Sequence, residues 1–207
     1  MVIKDLQSNE ELLRQSFSLE VVNQVAQRLN TLDLDPIVLG HSSMGDTPDV
    51  FWRRLSAMNG DFIEKNVGHT RQVTSFSELA GELLVELLLI GPYDLLAQAE
   101  ALVADLPVET ALIKNTFYAE WMLELTPKNV SKLSGAHFLL QRLGLNMNQV
   151  LAVGDSANDS LLLQAAGISI AMAHAPAEIH AFVHQVAGAN HTGGMGEAVL
   201  KRLAALG

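Results

Sequence analysis

Two carboxylates and an amide follow a short apolar stretch, in a pattern that favours the binding of a divalent cation. The stretch is Leu151–Val153, and Asp155, Asn158 and Asp159 lie just after it. It is typical of a buried strand in a parallel sheet, and such sheets bind ligands beyond the carboxyl ends of their strands. Carboxylate oxygens there suit Mg²⁺, which keeps several waters and takes further ligands from a substrate phosphate. A structural role stays open, because Asp155 can simply end a strand and Asn158 or Asp159 can cap a helix.

One lysine is predicted to lie at the same end of this sheet. Lys132 begins the predicted helix that precedes the Asp155 strand, so both side chains could reach the same edge. A lysine there can neutralise the negative charge of a transferring phosphoryl group. A cation at the start of a helix opposes the helix dipole, so the placement weakly favours a function over an ordinary solvated charge.

Helices and short apolar strands alternate strictly after Thr126 and Pro127, which predicts a parallel sheet with crossover helices. The predicted helices are Lys132–Leu143, Asp159–Ala166, Ala177–Val186 and Gly196–Leu206. The predicted strands are Val150–Val153 and Ile168–Met172. These elements would position the candidate site.

The first part of the chain is predicted to be a mixed α/β domain. Ser18 is a candidate N-cap of a helix that ends at Leu32, and Thr47-Pro48 is predicted to start a helix that carries Phe51 and Trp52. The other predicted segments are a strand at 36–40, irregular chain at 61–74, a short helix at 77–81, a strand at 85–90, a helix at 93–106 and strands at 108–114 and 118–125. The boundary falls near Tyr118, so we expect one domain over residues 1–117 and another over 118–207.

The composition excludes several classes of protein. Of 207 residues, 49% are hydrophobic and 17% are charged, which is typical of a packed globular protein and not of a disordered chain. The net charge of −10 would repel a phosphate backbone, so we expect no nucleic-acid partner. The absence of cysteine excludes disulfides and thiolate metal sites. The most apolar stretch, Leu83–Ile90, is too short to span a bilayer and contains Glu86, so we expect a cytoplasmic protein with no membrane partner.

Several motifs together resemble a known family. They resemble motifs of the haloacid dehalogenase (HAD) superfamily, in its Cof-type (subfamily IIB) phosphatase branch. The segments that carry the resemblance are Glu124–Pro127 leading to Lys132, the run Gly154–Asp159, and the stretches Ala165–Gly167 and Ile170–Met172. The resemblance implies an α/β fold with a Rossmann-like core, of which residues 118–207 would be the C-terminal part. It also implies that residues 1–117 form an α/β cap domain.

The resemblance also implies roles for the candidate residues in a Mg²⁺-dependent phosphatase of small phosphorylated metabolites. Lys132 would be catalytic and would hold the phosphate, and Asn158 would contact the phosphate. Asp155 would coordinate Mg²⁺, and Asp159 would support or join that coordination. Ser156 is a weak indication of a sugar phosphate as substrate. Among the departures from the family pattern is a histidine where asparagine is usual, at position 174.

The family's aspartate nucleophile, which forms an aspartyl-phosphate in an Asp-x-Asp motif, is not identifiable. The candidate Asp33-Leu34-Asp35 follows a helix and precedes a strand, which is the reverse of the expected order. The second motif is equally unidentifiable, because Ser42 and Thr47 lie inside the expected cap. We therefore expect a chain that lacks the N-terminal nucleophile segment and has little or no turnover. The Asp155 strand would then be an open sheet edge, which predicts self-association.

One other function remains open: a non-catalytic module that binds Mg²⁺ and phosphate but has lost the nucleophile. A receiver-like domain whose aspartates bind Mg²⁺ is a weaker hypothesis that fails on two points: its lysine would have to follow the acidic cluster, whereas Lys132 precedes it, and the chain contains a large additional α/β segment. Four further features are more typical of surface or turn positions than of a site. They are the pair His180 and His184 on one predicted helix; the expected cap residues His41, Asp46 and Arg71; the glycine-rich turn at 193–196; and the histidines at 174 and 191 near that pair.

Overall fold

The computed structural model describes residues 1–41, 49–114 and 121–205, and it divides the chain into two compact units, Met1–Val130 and Ser131–Gly207. Each of the four clusters of buried apolar residues draws its members from one unit alone. The two units are therefore described separately, as unit 1 and unit 2.

Unit 1 combines strands of three to eight residues with three helices in its described part. Its strands are β1 Val2–Lys4, β2 Glu11–Arg14, β3 Ile37–Gly40, β4 Val50–Trp52, β5 Thr70–Gln72, β6 Leu84–Gly91, β7 Val108–Lys114 and β8 Trp121–Pro127. Its helices are α1 Leu19–Leu29, α2 Gly60–Lys65 and α3 Tyr93–Val103, with 3₁₀ turns at Asn30–Leu32 and Phe76–Leu79. The strands β1 and β2 form an antiparallel pair, and the others form one six-stranded sheet in the order β5-β4-β3-β6-β8-β7.

The main core of unit 1 lies between this sheet and the helices α1 and α3. In α1 the buried residues Val22, Val25, Ala26 and Leu29 recur at helical spacing, and the hydroxyl of Ser18 accepts a hydrogen bond from the N–H of Val21, as the sequence predicts for an N-cap. The central strand β6 sends Leu87 and Leu89 into this core. It sends Leu88 and Ile90 to a smaller cluster on the other face, because side chains alternate along a strand.

The helix predicted from Thr47-Pro48 through Phe51 and Trp52 is wrong. Residues 50–52 form β4, which pairs antiparallel with β3 and parallel with β5. A β-branched residue and two aromatics suit a pleated surface better than a helix. Residues 61–74, predicted as irregular, contain most of α2 and the whole of β5. Thr47 itself lies outside the described residues.

Unit 2 contains a parallel sheet covered on both faces. Its helices are α4 Lys132–Leu143, α5 Ser160–Ala165, α6 Ala177–His180 and α7 Gly194–Ala204, and its strands are β9 Leu151–Gly154, β10 Ile168–Ala171 and β11 Gln185–Val186. The strand order is β11-β10-β9, so β9 is an edge strand within the described residues. Ala152 and Ala171 face one apolar cluster, whereas Val153 and Ile170 face another. Burial on both faces is typical of parallel sheets.

Two details of unit 2 differ from the sequence prediction. The helix predicted over Ala177–Val186 is wrong beyond His180, because Gln185 and Val186 pair with β10 as a third parallel strand. The strand β8 was expected to belong to the second domain, but it pairs with β6 and β7 throughout its length. The division therefore comes after Val130, and the expected boundary at Tyr118 lies outside the described residues.

Candidate active site

The loops that follow β9 and β10 emerge side by side. These strands run parallel in register, with Gly154 beside Ala171 at their carboxyl ends, and the N–H of Met172 donates to the Gly154 carbonyl at 3.0 Å. Asp155 follows one strand, and His174 follows the other. Both residues therefore lie at the edge where parallel sheets bind ligands.

A glycine is required at the end of β9 because the side chain of Asp159 lies against it. A Cβ at position 154 would lie 2.5 Å from the Cβ and 2.8 Å from Oδ2 of Asp159. The same Oδ2 accepts hydrogen bonds from the backbone N–H groups of Asp155, at 3.0 Å, and Ser156, at 3.3 Å. Asp159 thus closes the turn that presents Asp155.

Lys132 joins this turn from the first residue of α4. The helix begins there because the hydroxyl of Ser131 accepts a hydrogen bond from the N–H of Ser134. The Lys132 Nζ donates to Oδ1 of Asn158 at 3.0 Å and to Oδ1 of Asp159. The structure therefore brings Lys132, Asn158 and Asp159 together. Half of the Lys132 side chain, 51%, remains exposed, so its ammonium can still meet an anion from solvent.

Asp159 is held in its ionised form. Burial alone would raise the pKa of this carboxyl group, but the hydrogen bond from Lys132 and those from the backbone of Asp155 and Ser156 outweigh burial and lower the pKa below its ordinary value. Both oxygens of Asp159 already accept hydrogen bonds within the protein. The residue is therefore better suited to holding Lys132 and the turn than to contacting a metal.

Asp155 is the accessible carboxylate of the site. Its side chain is 47% exposed, whereas that of Asp159 is 8% exposed. The Oδ2 of Asp155 lies 2.9 Å from Nε2 of His174. His174 departs from the pattern of the family that the sequence resembles, but its contact with Asp155 was not predicted. Its position just past the next parallel strand was the available signal.

Asn158 and Ser156 complete the turn. The Ser156 hydroxyl donates to Oδ1 of Asn158 at 2.7 Å, and that same oxygen accepts from Lys132. With Oδ1 engaged in this way, the amide group of Asn158 has a fixed orientation. An amide nitrogen is a hydrogen-bond donor and therefore suits a phosphate oxygen.

The donor set fits Mg²⁺ better than a metal that needs a protein-built cage. Across residues 1–41, 49–114 and 121–205, no group of three or more histidine or acidic side chains converges on one point. Magnesium is commonly bound through one or two carboxylates, with waters and substrate phosphate as its other ligands. The half-exposed Asp155 belongs to the turn that Lys132 contacts through Asn158 and Asp159, and this arrangement is compatible with such a site.

The other residues that the sequence singled out have separate partners. The nucleophile candidate Asp33 pairs with Arg54, and Asp35 pairs with the neighbouring Arg53, so both acidic groups brace a loop of unit 1. Arg71 lies over the ring of Phe51. Ser42, Asp46 and Thr47 lie outside the described residues, and His41 follows β3.

The histidines predicted to share a helix do not. His180 contacts the carbonyl of Met172 at 3.0 Å, whereas Nδ1 of His184 lies 2.9 Å from the hydroxyl of the buried Ser169, beyond the end of α6. The glycine-rich segment at 193–196, predicted as a turn, instead forms the start of α7, with Gly193 as its N-cap. A Cβ at Gly194 would lie 2.4 Å from the backbone of Gly188. None of the described helices is long and apolar enough to cross a membrane.

Comparison with known proteins extends over nearly the whole chain. The model of the family of haloacid dehalogenase-like hydrolases matches residues 1–199. The phosphoglycolate phosphatase of Methanothermobacter thermautotrophicus is 33% identical over 112 residues, which are 51% of this chain and 51% of that protein. The chain thus spans about half the length of this relative.

Solved structures share the fold. The chain matches a haloacid dehalogenase-like hydrolase from Bacteroides thetaiotaomicron with a TM-score of 0.73 and 21% identity, over 97% of this chain and 73% of that one. It matches a sugar phosphatase of HAD subclass IIB with a TM-score of 0.73 and 16% identity, over 95% of this chain and 71% of that one. The likeness shows an α/β fold of the HAD type.

Proposed function

Because this chain belongs to the family of haloacid dehalogenase-like hydrolases, we propose that it carries part of the active site of a Mg²⁺-dependent phosphatase for small phosphorylated metabolites. The observation that carries the proposal is the contact of Lys132 with both Asn158 and Asp159, next to the exposed carboxylate of Asp155. A fixed cation, an amide and an accessible carboxylate at the end of a parallel strand suit a phosphate together with a hard metal ion.

Each residue has a distinct role in this proposal. Lys132 binds a phosphate oxygen and offsets the charge that develops during transfer. Asn158 donates to a second phosphate oxygen, and Asp155 holds Mg²⁺. When bound, the ion neutralises phosphate charge and orients the group. Asp159 keeps Lys132 and the turn in position, so it supports metal binding indirectly, through the turn that carries Asp155.

The substrate in this proposal is a sugar phosphate or a similar small phosphorylated compound. Two relatives support it: the phosphoglycolate phosphatase and the HAD subclass IIB sugar phosphatase. In the same proposal unit 1 is the α/β cap that selects the leaving group, and unit 2 is the C-terminal part of the core.

The reaction would proceed through an aspartyl-phosphate, and we propose that its nucleophile is not among the residues of this site. Asp155 and Asp159 are the two aspartates of residues 131–207. In this proposal Asp155 binds the metal, and both carboxylate oxygens of Asp159 already accept hydrogen bonds. Asp33 is paired with Arg54 in unit 1. We therefore expect this chain to bind phosphate and Mg²⁺ without turnover.

Phosphate binding by Lys132 variants tests this function. Titration calorimetry with inorganic phosphate in the presence of Mg²⁺ should show binding to the wild-type chain and at least about tenfold weaker binding to Lys132→Ala, because a charge-assisted contact is lost. Lys201→Ala removes an exposed lysine from α7 of the same unit and is the matched control. Equal affinities of Lys132→Ala and wild type would contradict the proposed site.

A hydrolysis assay separates the enzyme from the binding module. An aryl phosphate incubated with the chain and Mg²⁺ should not be hydrolysed. Turnover that Asp33→Asn abolishes would show that the nucleophile is present and that its proposed absence is wrong. If supplying the family's Asp-x-Asp segment upstream restores no turnover while phosphate still binds, the non-catalytic module becomes the better description.

The edge strand β9 supports a proposal about assembly. Within the described residues β9 pairs with β10 alone, and its Leu151 and Val153 are only partly buried. An open edge with apolar side chains favours pairing with another chain, so we propose that the chain self-associates. Sedimentation equilibrium over a wide range of protein concentration should show an increase in average mass, and a constant monomer mass would contradict it.

A further inference from the structure

The side chains of His174 and Asp155 are in contact at the edge of the parallel sheet. Nε2 of His174 lies 2.9 Å from Oδ2 of Asp155, and each side chain is 47% exposed. An ionised carboxylate can only accept a hydrogen bond, so Nε2 carries the hydrogen and donates. The contact therefore restrains the carboxylate by one of its two oxygens.

Asp155 is held from two directions. Its backbone N–H donates to Oδ2 of Asp159 at 3.0 Å, which fixes its main chain at the end of β9. His174 then fixes its side chain. In the part of the chain that the structure describes, Oδ1 of Asp155 accepts no hydrogen bond, so this is the oxygen that remains for a cation.

His174 itself is held by a tight turn. The N–H of Ala175 donates to the carbonyl of Met172 at 3.0 Å, and this closes a turn with His174 at its third position. The same carbonyl contacts Nε2 of His180 at 3.0 Å, and Ala175 is buried. Met172 is in turn bound to the end of β9 through the carbonyl of Gly154. The main chain that carries the imidazole is therefore held against the end of β9.

We propose that His174 is a positioning residue for the metal site: it holds the carboxylate of Asp155 through Oδ2 and so directs Oδ1 to the cation. This inference rests on the proposed function, because it takes Asp155 as the metal ligand. A half-exposed carboxylate loses rotamer freedom when it binds a cation, and a neighbour that has already ordered it increases the affinity. Hydrogen-bonding partners of ligating groups commonly have this effect.

The test is metal affinity, measured without any enzymatic step. Mn²⁺ is used as the probe, since its free aqueous form gives a sharp electron paramagnetic resonance signal that disappears on binding. The variants are His174→Ala, which removes the donor, and His174→Gln, whose amide nitrogen reaches about as far as Nε2 and can donate in its place. His137→Ala removes an exposed histidine of α4 and controls for the loss of an imidazole from the same unit.

We expect the dissociation constant for Mn²⁺ to rise about tenfold in His174→Ala and to stay within about threefold of wild type in His174→Gln and His137→Ala. Thermal unfolding in EDTA should be similar for all four proteins, because the contact lies at the surface. An unchanged dissociation constant in His174→Ala would overturn the positioning role while leaving the metal site intact. If His174→Ala does not fold, a weakened affinity in His174→Gln equally overturns it.

Two further outcomes are distinguishable. A wild-type chain that binds no Mn²⁺ would contradict the metal site itself, and with it the proposed function and this inference. A histidine nitrogen coordinated directly to bound Mn²⁺, detected by pulsed electron paramagnetic resonance, would show that His174 is a ligand. That result would overturn the positioning role.

Discussion

At the scale of single residues, the site depends on the ion pair between Lys132 and Asp159. Lys132 and Asp159 are separated by 26 residues in the chain. The carboxylate of Asp159 accepts hydrogen bonds both from Lys132 and from the backbone of the turn that carries Asp155. Hydrogen bonds between an ionised carboxylate and a cation are stronger than those between neutral groups, so Asp159 stabilises the ammonium of Lys132. The arrangement explains why an almost buried aspartate is found beside an exposed one.

Replacing Asp159 by asparagine tests this support. Asp159→Asn leaves Lys132 without its charged partner, and we expect unit 2 to lose about 1–3 kcal/mol of unfolding free energy at neutral pH. The pKa of Asp159 is lowered by folding, so its contribution is present above the ordinary aspartate pKa, near pH 4, and is lost as the pH falls further. Thermal unfolding from pH 7 to pH 3 measures it.

The difference in unfolding free energy between Asp159→Asn and wild type should therefore become smaller as the pH falls towards 3. A difference that stays constant down to pH 3 would contradict the lowered pKa of Asp159. Glu197→Gln, an exposed acidic residue of α7, should unfold like wild type throughout.

The sequence was sufficient to predict that Lys132 lies close to the turn after β9, but it did not predict two of the contacts made there. The order apolar strand, glycine, aspartate, asparagine and aspartate predicted a loop at the end of a strand, and β9 confirms that loop. The sequence could not show that both carboxylate oxygens of Asp159 accept hydrogen bonds, since this depends on how close Lys132 lies. It could not show the contact of His174 either, because that needs the register of β9 against β10.

At the scale of elements, the site depends on the close packing of Gly154, at the end of β9, against Asp159 in the turn that follows. Gly154→Ala would place a Cβ 2.5 Å from the Cβ of Asp159, where no side chain fits. We expect a loss of about 1–3 kcal/mol in the unfolding free energy of unit 2, typical of overpacking, together with weaker phosphate binding. Denaturant unfolding and phosphate titration measure the two effects.

A second glycine gives the matched control. Gly196 lies within α7, and a Cβ there would meet nothing within 4 Å. Gly196→Ala should stabilise the protein by about 0.5–1 kcal/mol because alanine favours helix, and it should leave phosphate binding unchanged. If the two variants behave alike, the packing of Gly154 against Asp159 is not what the turn requires.

Elements with a full helical or strand pattern were predictable, and those decided by distant partners were not. The helix Lys132–Leu143 was predicted with the bounds that it has, because its apolar residues recur at helical spacing and Gly144 ends it in a left-handed conformation. Val50–Trp52 lies in a stretch with apolar residues at helical spacing, and its pairing with β3 and β5 favours the strand that its β-branched and aromatic residues also suit. Gln185–Val186 is a strand for the same reason.

At the scale of the whole molecule, a partly buried acid, Glu86, makes unit 1 sensitive to pH. Glu86 of β6 lies opposite Leu39 of β3, and burial, together with the charge of Glu124, raises its pKa to about 7. The ionised form is therefore disfavoured in the folded state. The contribution of Glu86 to stability is favourable below the pKa of an unfolded glutamate and is lost as the pH rises through about 7.

Glu86→Gln should remove this dependence. We expect the wild-type unit 1 to lose up to about 3 kcal/mol of unfolding free energy between pH 5 and pH 8, and the variant to lose much less. Thermal unfolding followed across this range measures the difference. Glu64→Gln, at an exposed position of α2, should follow wild type, and a Glu86→Gln protein that does so too would contradict the raised pKa.

The separate apolar clusters of the two units have a consequence for how the chain is degraded. Among the described residues each cluster belongs to one unit, so we expect each unit to be able to lose its structure while the clusters of the other persist. Acid strengthens the first through Glu86 and weakens the second through Asp159. We therefore expect alkaline conditions to increase the susceptibility of the N-terminal half to proteolysis, and strong acid to increase that of the half that carries Asp155.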